Sequence, residues 1–110
     1  MATTETIAQT WTNGASSYCK LPDGTMIQWG SATNTAEGFA SVTYPQEFIN
    51  TSVYAVATPK YGGGGGGLNC RVITQANKAN IIVYFRNLTD TSVQTDTNQT
   101  AVWIAVGRWK

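Results

Sequence analysis

Short runs of β-branched and aromatic residues, separated by turn-forming residues, set the strongest limit on how this 110-residue chain can fold. From Gly24 onward, glycine, asparagine, aspartate, serine and proline interrupt the chain every few residues, and no stretch of a dozen residues carries the apolar stripe of a helix. We therefore predict one all-β domain, an antiparallel β-sandwich. Its six predicted strands are Gly24–Gly30, Gly38–Thr43, Val53–Thr58, Leu68–Thr74, Asn80–Arg86 and Thr100–Trp109.

The beginning of the chain has a different character. Residues 1–17 are polar and rich in threonine, and they are predicted to form an extended or loosely ordered segment that precedes a domain of residues 18–110. Residues 1–5 lack the positive start and apolar run of a signal peptide, so we expect synthesis in a cytoplasm. Because no apolar stretch approaches membrane-spanning length, no insertion into a membrane is expected.

The composition argues against several classes of function. Only 12% of the residues are charged and the net charge is +1 without a basic run, so nucleic-acid binding is not expected. The absence of histidine removes the commonest general base and the usual zinc ligand, so neither a metal nor a cofactor is expected. Cys19 and Cys70 are expected to be free thiols, and a disulfide between them is the alternative.

Two of the predicted strands are apolar on both faces. In Asn80–Arg86, three apolar side chains point one way, while Ile82 and Tyr84 point the other. Thr100–Trp109 repeats this arrangement. Either these are central strands with some exposed apolar residues, or their second face is buried against other copies of the same chain.

The connections between strands predict where a binding site would lie. Antiparallel neighbours send successive connections to alternate ends of the domain. The connections near Ser31–Glu37, Pro59–Gly67 and Asn87–Gln99 are therefore predicted at one end, and those near Tyr44–Ser52 and Gln75–Ala79 at the other.

A run of six consecutive glycines lies in the second of these connections. Glycine loses more backbone entropy on folding than any other residue and has no side chain to bury. The run is therefore either a flexible loop without a function or exposed backbone that a ligand can approach. Together with the long connection Asn87–Gln99, it predicts a binding tip at the end far from residues 1–17.

Four sequence blocks resemble a known family. They are Leu-Pro-Asp-Gly-Thr-Met-Ile-Gln-Trp-Gly at Leu21–Gly30, Val-Thr-Tyr-Pro at Val42–Pro45 with Phe48, Val-Tyr-Ala-Val at Val53–Val56, and Trp-Ile-Ala-Val-Gly-Arg-Trp at Trp103–Trp109. Their order over residues 18–110 resembles the C-terminal distal, receptor-binding domain of phage and prophage tail-fibre proteins, which is similar in fold to H-type lectins.

The resemblance implies a β-sandwich that forms a homotrimer and presents its loops to a bacterial cell-surface glycan, such as lipopolysaccharide or capsule. It also implies an upstream tail-fibre shaft, of which residues 1–17 would be the end or a linker. The chain would then belong to the virion after synthesis in the cytoplasm of the bacterial host.

Glycan binding requires an aromatic face for stacking and amide or guanidinium groups for hydrogen bonds to hydroxyls. Tyr61 is predicted to stack on a sugar, and Arg71 to pair with an acidic sugar or a phosphate. The predicted receptor contacts are Tyr61, Gly62, Gly63, Gly64, Gly65, Gly66, Gly67, Asn69, Arg71, Asn87, Asp90, Asp96 and Asn98. At each position, a solvated loop residue is the alternative.

We expect host adsorption without catalysis, so the chain is not predicted to be an enzyme. The alternatives are a structural cap that holds a trimeric fibre together and a small glycan hydrolase. A hydrolase needs two carboxylates, which Glu37, Asp90 and Asp96 could supply at the same end. A sandwich of this size, however, offers little room for the long groove that polysaccharide cleavage requires.

Overall fold

The computed structural model describes residues 8–10, 16–60, 70–88 and 92–110, and these form two antiparallel sheets. The described strands are β1 (Ala8–Thr10), β2 (Ser16–Lys20), β3 (Thr25–Thr33), β4 (Phe39–Thr43), β5 (Tyr54–Lys60), β6 (Cys70–Ala76), β7 (Asn80–Asn87) and β8 (Thr100–Arg108). The five-stranded sheet has the order β1-β2-β3-β8-β5, and the three-stranded sheet the order β4-β7-β6. The predicted all-β antiparallel sandwich is confirmed.

All six predicted strands are present, with ends shifted by a few residues. Two further strands, β1 and β2, precede them. The predicted boundary between residues 17 and 18 falls inside β2, whose five residues all pair with β3 between Met26 and Gly30. The division of the chain into two segments stays a prediction.

The core lies between the two sheets and follows the period-two alternation of strands. On β7, Ile81, Val83 and Phe85 are fully buried, and on β8 the buried positions include Trp103 and Ala105. The side chains between them in sequence face away from the core. The inner faces therefore match the sequence pattern, and the apolar residues on the opposite faces remain available to other contacts.

Aromatic residues close one end of the core. Tyr44 packs edge-on against Phe48 with ring centroids 5.0 Å apart, and it lies 5.7 Å from Trp103. Phe48 crosses directly over Gly107 of β8, where an added Cβ would lie 2.6 Å from Phe48 Cδ1. The absence of a side chain at Gly107 thus lets the segment after β4 approach the sheet.

A buried glutamine holds the same segment in place. Gln28 of β3 is fully buried, and its Nε2 donates a hydrogen bond to the main-chain oxygen of Gln46 at 2.7 Å. Its Oε1 accepts a hydrogen bond from the main-chain nitrogen of Gln46 at 3.0 Å. Both polar groups of the amide are therefore satisfied by one residue of the connection between β4 and β5.

The turn between β2 and β3 lies at the same end of the sandwich as Tyr44 and Phe48. Gly24 has φ +100°, a conformation that favours glycine, and its main-chain nitrogen donates to Leu21 O at 3.1 Å. Thr25 donates its main-chain N–H to Asp23 Oδ1 at 2.8 Å, and hydrogen bonds from Thr25 hold the pKa of Asp23 below its usual value. Asp23 is thus a turn residue.

Two further features bear on the sequence predictions. Cys19 carries a free, half-buried thiol, while the side chain of Cys70 lies outside the described residues. The described part of the chain includes no helix long and apolar enough to span a membrane.

Candidate functional site

Strand register brings three connections to one end of the sandwich, which we call the loop end. Thr33 and Lys60 both pair with Thr100, and Cys70 pairs with Asn87. The connections 34–38, 61–69 and 88–99 therefore begin and end at the loop end. The connections 21–24, 44–53 and 77–79 lie at the other end, which we call the opposite end. For the last two, the alternation of antiparallel strands predicted this position.

Hydrogen bonds of Asn87 and Gln94 hold the beginning of the 92–99 segment against the end of β7. Asn87 donates its main-chain N–H to Ser92 O and its Nδ2 to Ser92 Oγ, both at 2.8 Å. Asn87 Oδ1 accepts a hydrogen bond from Gln94 Nε2 at 2.8 Å. The main-chain nitrogen of Gln94 donates to Phe85 O at 3.1 Å, and Val93 forms an isolated bridge with Arg86. Residues 92–94 are thus tied to the end of β7.

Asp96 organises the tip of the same segment. Its Oδ1 accepts a hydrogen bond from the main-chain N–H of Asn98 at 2.9 Å, and its Oδ2 accepts one from Gln99 Nε2 at 3.3 Å. The main-chain N–H of Asp96 donates to Gln94 Oε1 at 3.0 Å. This is the local side-chain to main-chain bonding that makes aspartate a turn-forming residue. Asp96 is exposed, but both of its oxygens already serve the turn.

Asn34, in the connection between β3 and β4, joins two parts of the loop end. It is 3% exposed, and its Nδ2 donates hydrogen bonds to the main-chain oxygens of Gln94, at 2.8 Å, and of Asp96, at 3.0 Å. Its main-chain nitrogen donates to Gln99 O at 2.8 Å. Residues about 60 positions apart in sequence are therefore held together by one side chain. The sequence gives no signal that this asparagine, within a polar connection, is buried.

Arg86 fastens the other side of the 34–38 connection. Its Nη1 donates to Gly38 O at 3.0 Å and to Phe85 O at 2.9 Å, and its guanidinium lies 5.4 Å from the ring centre of Tyr84. Gly38 has φ +81° and donates its N–H to Thr35 O at 2.9 Å, closing a turn. Arg86 therefore has a structural role at the loop end.

The predicted receptor contacts divide into two groups. Asn87, Asp96 and Asn98 lie in or beside the 88–99 connection, and Arg71 is exposed on β6 as the Cα partner of Arg86. The structure brings these four to the loop end. The remaining predicted contacts lie outside the described residues: Tyr61, Gly62, Gly63, Gly64, Gly65, Gly66, Gly67, Asn69 and Asp90.

Within the ranges that the structure describes, no three cysteine, aspartate or glutamate side chains gather closely enough to hold a metal ion. The loop end is instead a surface of amides, hydroxyls and a guanidinium, with Leu88 and Val93 as exposed apolar residues. Such groups form hydrogen bonds to hydroxyl-rich ligands. Chemically, this end of the molecule suits recognition.

A second surface of a different kind covers the outer face of the five-stranded sheet. Tyr54 and Val56 of β5 are 80% and 65% exposed, and Val102 and Ile104 of β8 are about 40% exposed beside them. Val56 pairs with Ile104, and Tyr54 with Val106, so these side chains share one face. We call this group, Tyr54, Val56, Val102, Ile104 and Val106, the apolar face.

Comparisons with known proteins place this architecture among tail fibres. The sequence model of the family described as "Putative tail fiber protein gp53-like, C-terminal" matches residues 20–108. Comparison with curated protein sequences finds no match.

Two solved structures illustrate the similarity in fold. The C-terminal part of the R2 pyocin fibre of P. aeruginosa is 23% identical, with a TM-score of 0.66 over 91% of this chain and 26% of that one. An N-truncated R1-type pyocin tail fibre is 17% identical, with a TM-score of 0.66 over 90% of this chain and 84% of that one. At these identities the likeness shows a common fold. The chain spans about a quarter of the R2 fibre structure.

Proposed function

Since the chain belongs to the gp53-like family of tail fibre C-terminal domains, we propose that it is the receptor-binding tip of a tail fibre, which adsorbs to a bacterial cell-surface glycan without cleaving it. The chain would be part of a virion or a phage-like particle, with a fibre shaft preceding it. Family membership supports the fibre role. The glycan, the absence of catalysis and the assembly below are the proposal.

One observation carries the proposal: two connections distant in sequence are fastened together at the loop end, and they expose polar groups there. The buried amide of Asn34 and the guanidinium of Arg86 bond to main-chain oxygens of these connections. A binding surface gains affinity when its groups are ordered before the ligand arrives. β1 begins at the opposite end, where Ala8 pairs with Lys20, so a preceding shaft would leave the loop end accessible.

The chemistry of the loop end favours a carbohydrate. Asn98 and the threonines of the 92–99 segment are exposed, and Arg71 is exposed on the neighbouring sheet. Amides and hydroxyls bond to sugar hydroxyls, and a guanidinium pairs with the carboxylate or phosphate of an acidic glycan. Tyr61 remains our predicted stacking residue, and Asn69 and Asp90 further predicted contacts.

Binding is favoured over hydrolysis by the state of Asp96. A glycosidase requires one carboxyl group that protonates the leaving group and a second that acts as nucleophile or base. Both oxygens of Asp96 accept hydrogen bonds within their own turn, which favours a structural carboxylate.

A structural cap that holds fibre chains together is a second candidate, and the apolar face favours it. An apolar surface that includes Tyr54 at 80% exposure is costly to leave in water. We propose that copies of this chain cover it in a homotrimer. The cap and the receptor-binding tip are compatible, because the apolar face and the loop end are separate surfaces.

The test is adsorption of fluorescently labelled protein to a panel of bacterial strains and to their purified lipopolysaccharides. We expect saturable binding to some strains and weaker binding when Gly62–Gly67 are deleted. We also expect that incubation with the lipopolysaccharide of a bound strain releases no oligosaccharide. Failure to adsorb to any strain would leave the cap as the function. Release of oligosaccharide would support the hydrolase instead.

A further inference from the structure

Among the described residues at the loop end, Asn34 is the most deeply buried polar side chain, and Gln99 is buried almost as deeply. Both contacts of its Nδ2 are carbonyl oxygens, which only accept hydrogen bonds, so the orientation of the amide is fixed by chemistry. Its Oδ1 is buried and makes no hydrogen bond in the described part of the chain. The side chain therefore serves the 92–99 segment through its nitrogen alone.

We infer that Asn34 is a positioning residue for receptor binding, which sets the conformation in which residues 94–98 meet the receptor. This inference rests on the proposed function. The two oxygens that Asn34 holds belong to Gln94 and Asp96, and Asp96 in turn fixes the main chain at Asn98. One buried donor thus determines where the exposed groups of the tip point.

A burial cost at Oδ1 supports a positional role. A buried carbonyl oxygen without a partner is unfavourable, so Asn34 carries a cost that its two donated hydrogen bonds must offset. Gln28 of β3, which holds the 44–53 connection, does satisfy both ends of its amide, through Gln46. Asn34 instead uses its two N–H groups on two residues of one segment, and no residue that the structure describes donates to its oxygen.

Gln28 also supplies a matched control. Asn34→Asp and Gln28→Glu each replace a buried amide by a carboxyl of the same shape, and each removes donors that bond to main-chain oxygens of a connection. N34D removes two such hydrogen bonds and Q28E one, so the stability of both variants is measured beside their adsorption. Only N34D, however, releases the segment at the loop end.

The experiment measures adsorption of wild type, N34D and Q28E to receptor-positive bacterial cells, at a temperature where circular dichroism shows all three folded. We expect N34D to lose adsorption by about tenfold or more, and Q28E to adsorb like wild type. Hydrogen exchange should be faster at the amides of Asp96, Asn98 and Gln99 in N34D, and at those of Gln46 and Phe48 in Q28E. If N34D does not fold, Asn34→Ser removes the amide without adding a charge and is judged by the same criteria.

The outcomes separate this inference from the proposed function. Equal adsorption of wild type and N34D would overturn the positioning role and leave receptor binding intact. An equal loss in N34D and Q28E would also overturn it, because both would then act through stability. A wild type that adsorbs to no strain would overturn the proposed function and the inference together.

Discussion

Single residues decide how closely the connections approach the sheets. Gly107 and Asn34 show two ways in which this occurs: one by lacking a side chain where Phe48 crosses, the other by bonding across the loop end. The sequence marks neither, because a glycine in a strand and an asparagine in a polar connection both have commoner explanations. Sequence patterns report which face a residue occupies, whereas a close approach depends on which segments the fold brings together.

At Gly107 we predict that Gly107→Ala destabilises the fold by about 1–3 kcal/mol, because the new Cβ would lie 2.6 Å from Phe48 Cδ1. In a strand with free space beside the glycine, the same substitution would stabilise the fold by roughly 0.5–1 kcal/mol. The sign of the stability change therefore tests whether Phe48 contacts this position. Urea unfolding of G107A measures the difference. Phe48→Leu should reduce the cost of G107A in the double variant, and additive effects would contradict the contact.

A second residue-scale prediction concerns pH. Burial raises the pKa of Tyr44 to about 12 in the folded chain, against a smaller opposing contribution from the Asn77 main chain. In the unfolded chain the value is about 10. Between these pH values the folded chain holds the Tyr44 proton more tightly than the unfolded chain does. The free energy of unfolding therefore keeps its full value below about pH 10 and decreases as the pH rises toward 12.

Tyr44→Phe should remove the part of the stability loss at alkaline pH that is due to Tyr44. The measurement is the difference in urea midpoint between wild type and Y44F at pH 9 and near pH 11.5, because the other titrating groups cancel in that difference. We expect wild type to lose more stability than Y44F over this range. Identical losses would mean that Tyr44 does not titrate differently in the two states.

At the scale of elements, the period-two patterns were sufficient to predict the six strands from β3 to β8 and their inner faces. They did not predict β1 and β2, because Ser16–Lys20 has little apolar character and joins the sheet through pairing with β3. The loop end followed from the alternation of antiparallel connections. The hydrogen bonds that fasten it did not, since they depend on side chains distant in sequence.

The apolar face gives a prediction at this scale. Ile104, at 41% exposure, lies on the outer face of the five-stranded sheet, and Ile73, at 47%, on that of the three-stranded sheet. Light scattering after gel filtration should give three chain masses for wild type and for Ile73→Lys, but one for Ile104→Lys, because a buried unpaired ammonium is costly in an interface. The reverse pattern, with I73K monomeric and I104K trimeric, would move the interface to the other sheet.

At the scale of the whole molecule, the sandwich keeps three regions apart. Its opposite end holds the turns closed by Gln28 and Phe48, its outer sheet face presents the apolar surface, and its loop end carries the fastened connections. In a fibre, this separation would let one domain join its neighbours and meet a receptor at the same time. The resemblance seen in the sequence is confirmed by the family to which the chain belongs.

The central claim is that the loop end meets the receptor, and steric blocking tests it most directly. Thr97 is exposed in the turn at the loop end, and Thr51 is exposed in the connection at the opposite end. Adsorption of labelled protein to receptor-positive cells is measured for wild type, Thr97→Trp and Thr51→Trp, which add the same bulk at the two ends. We predict that T97W loses adsorption while T51W adsorbs like wild type. Full adsorption of T97W together with a loss in T51W would contradict the account, because the receptor would then bind at the opposite end.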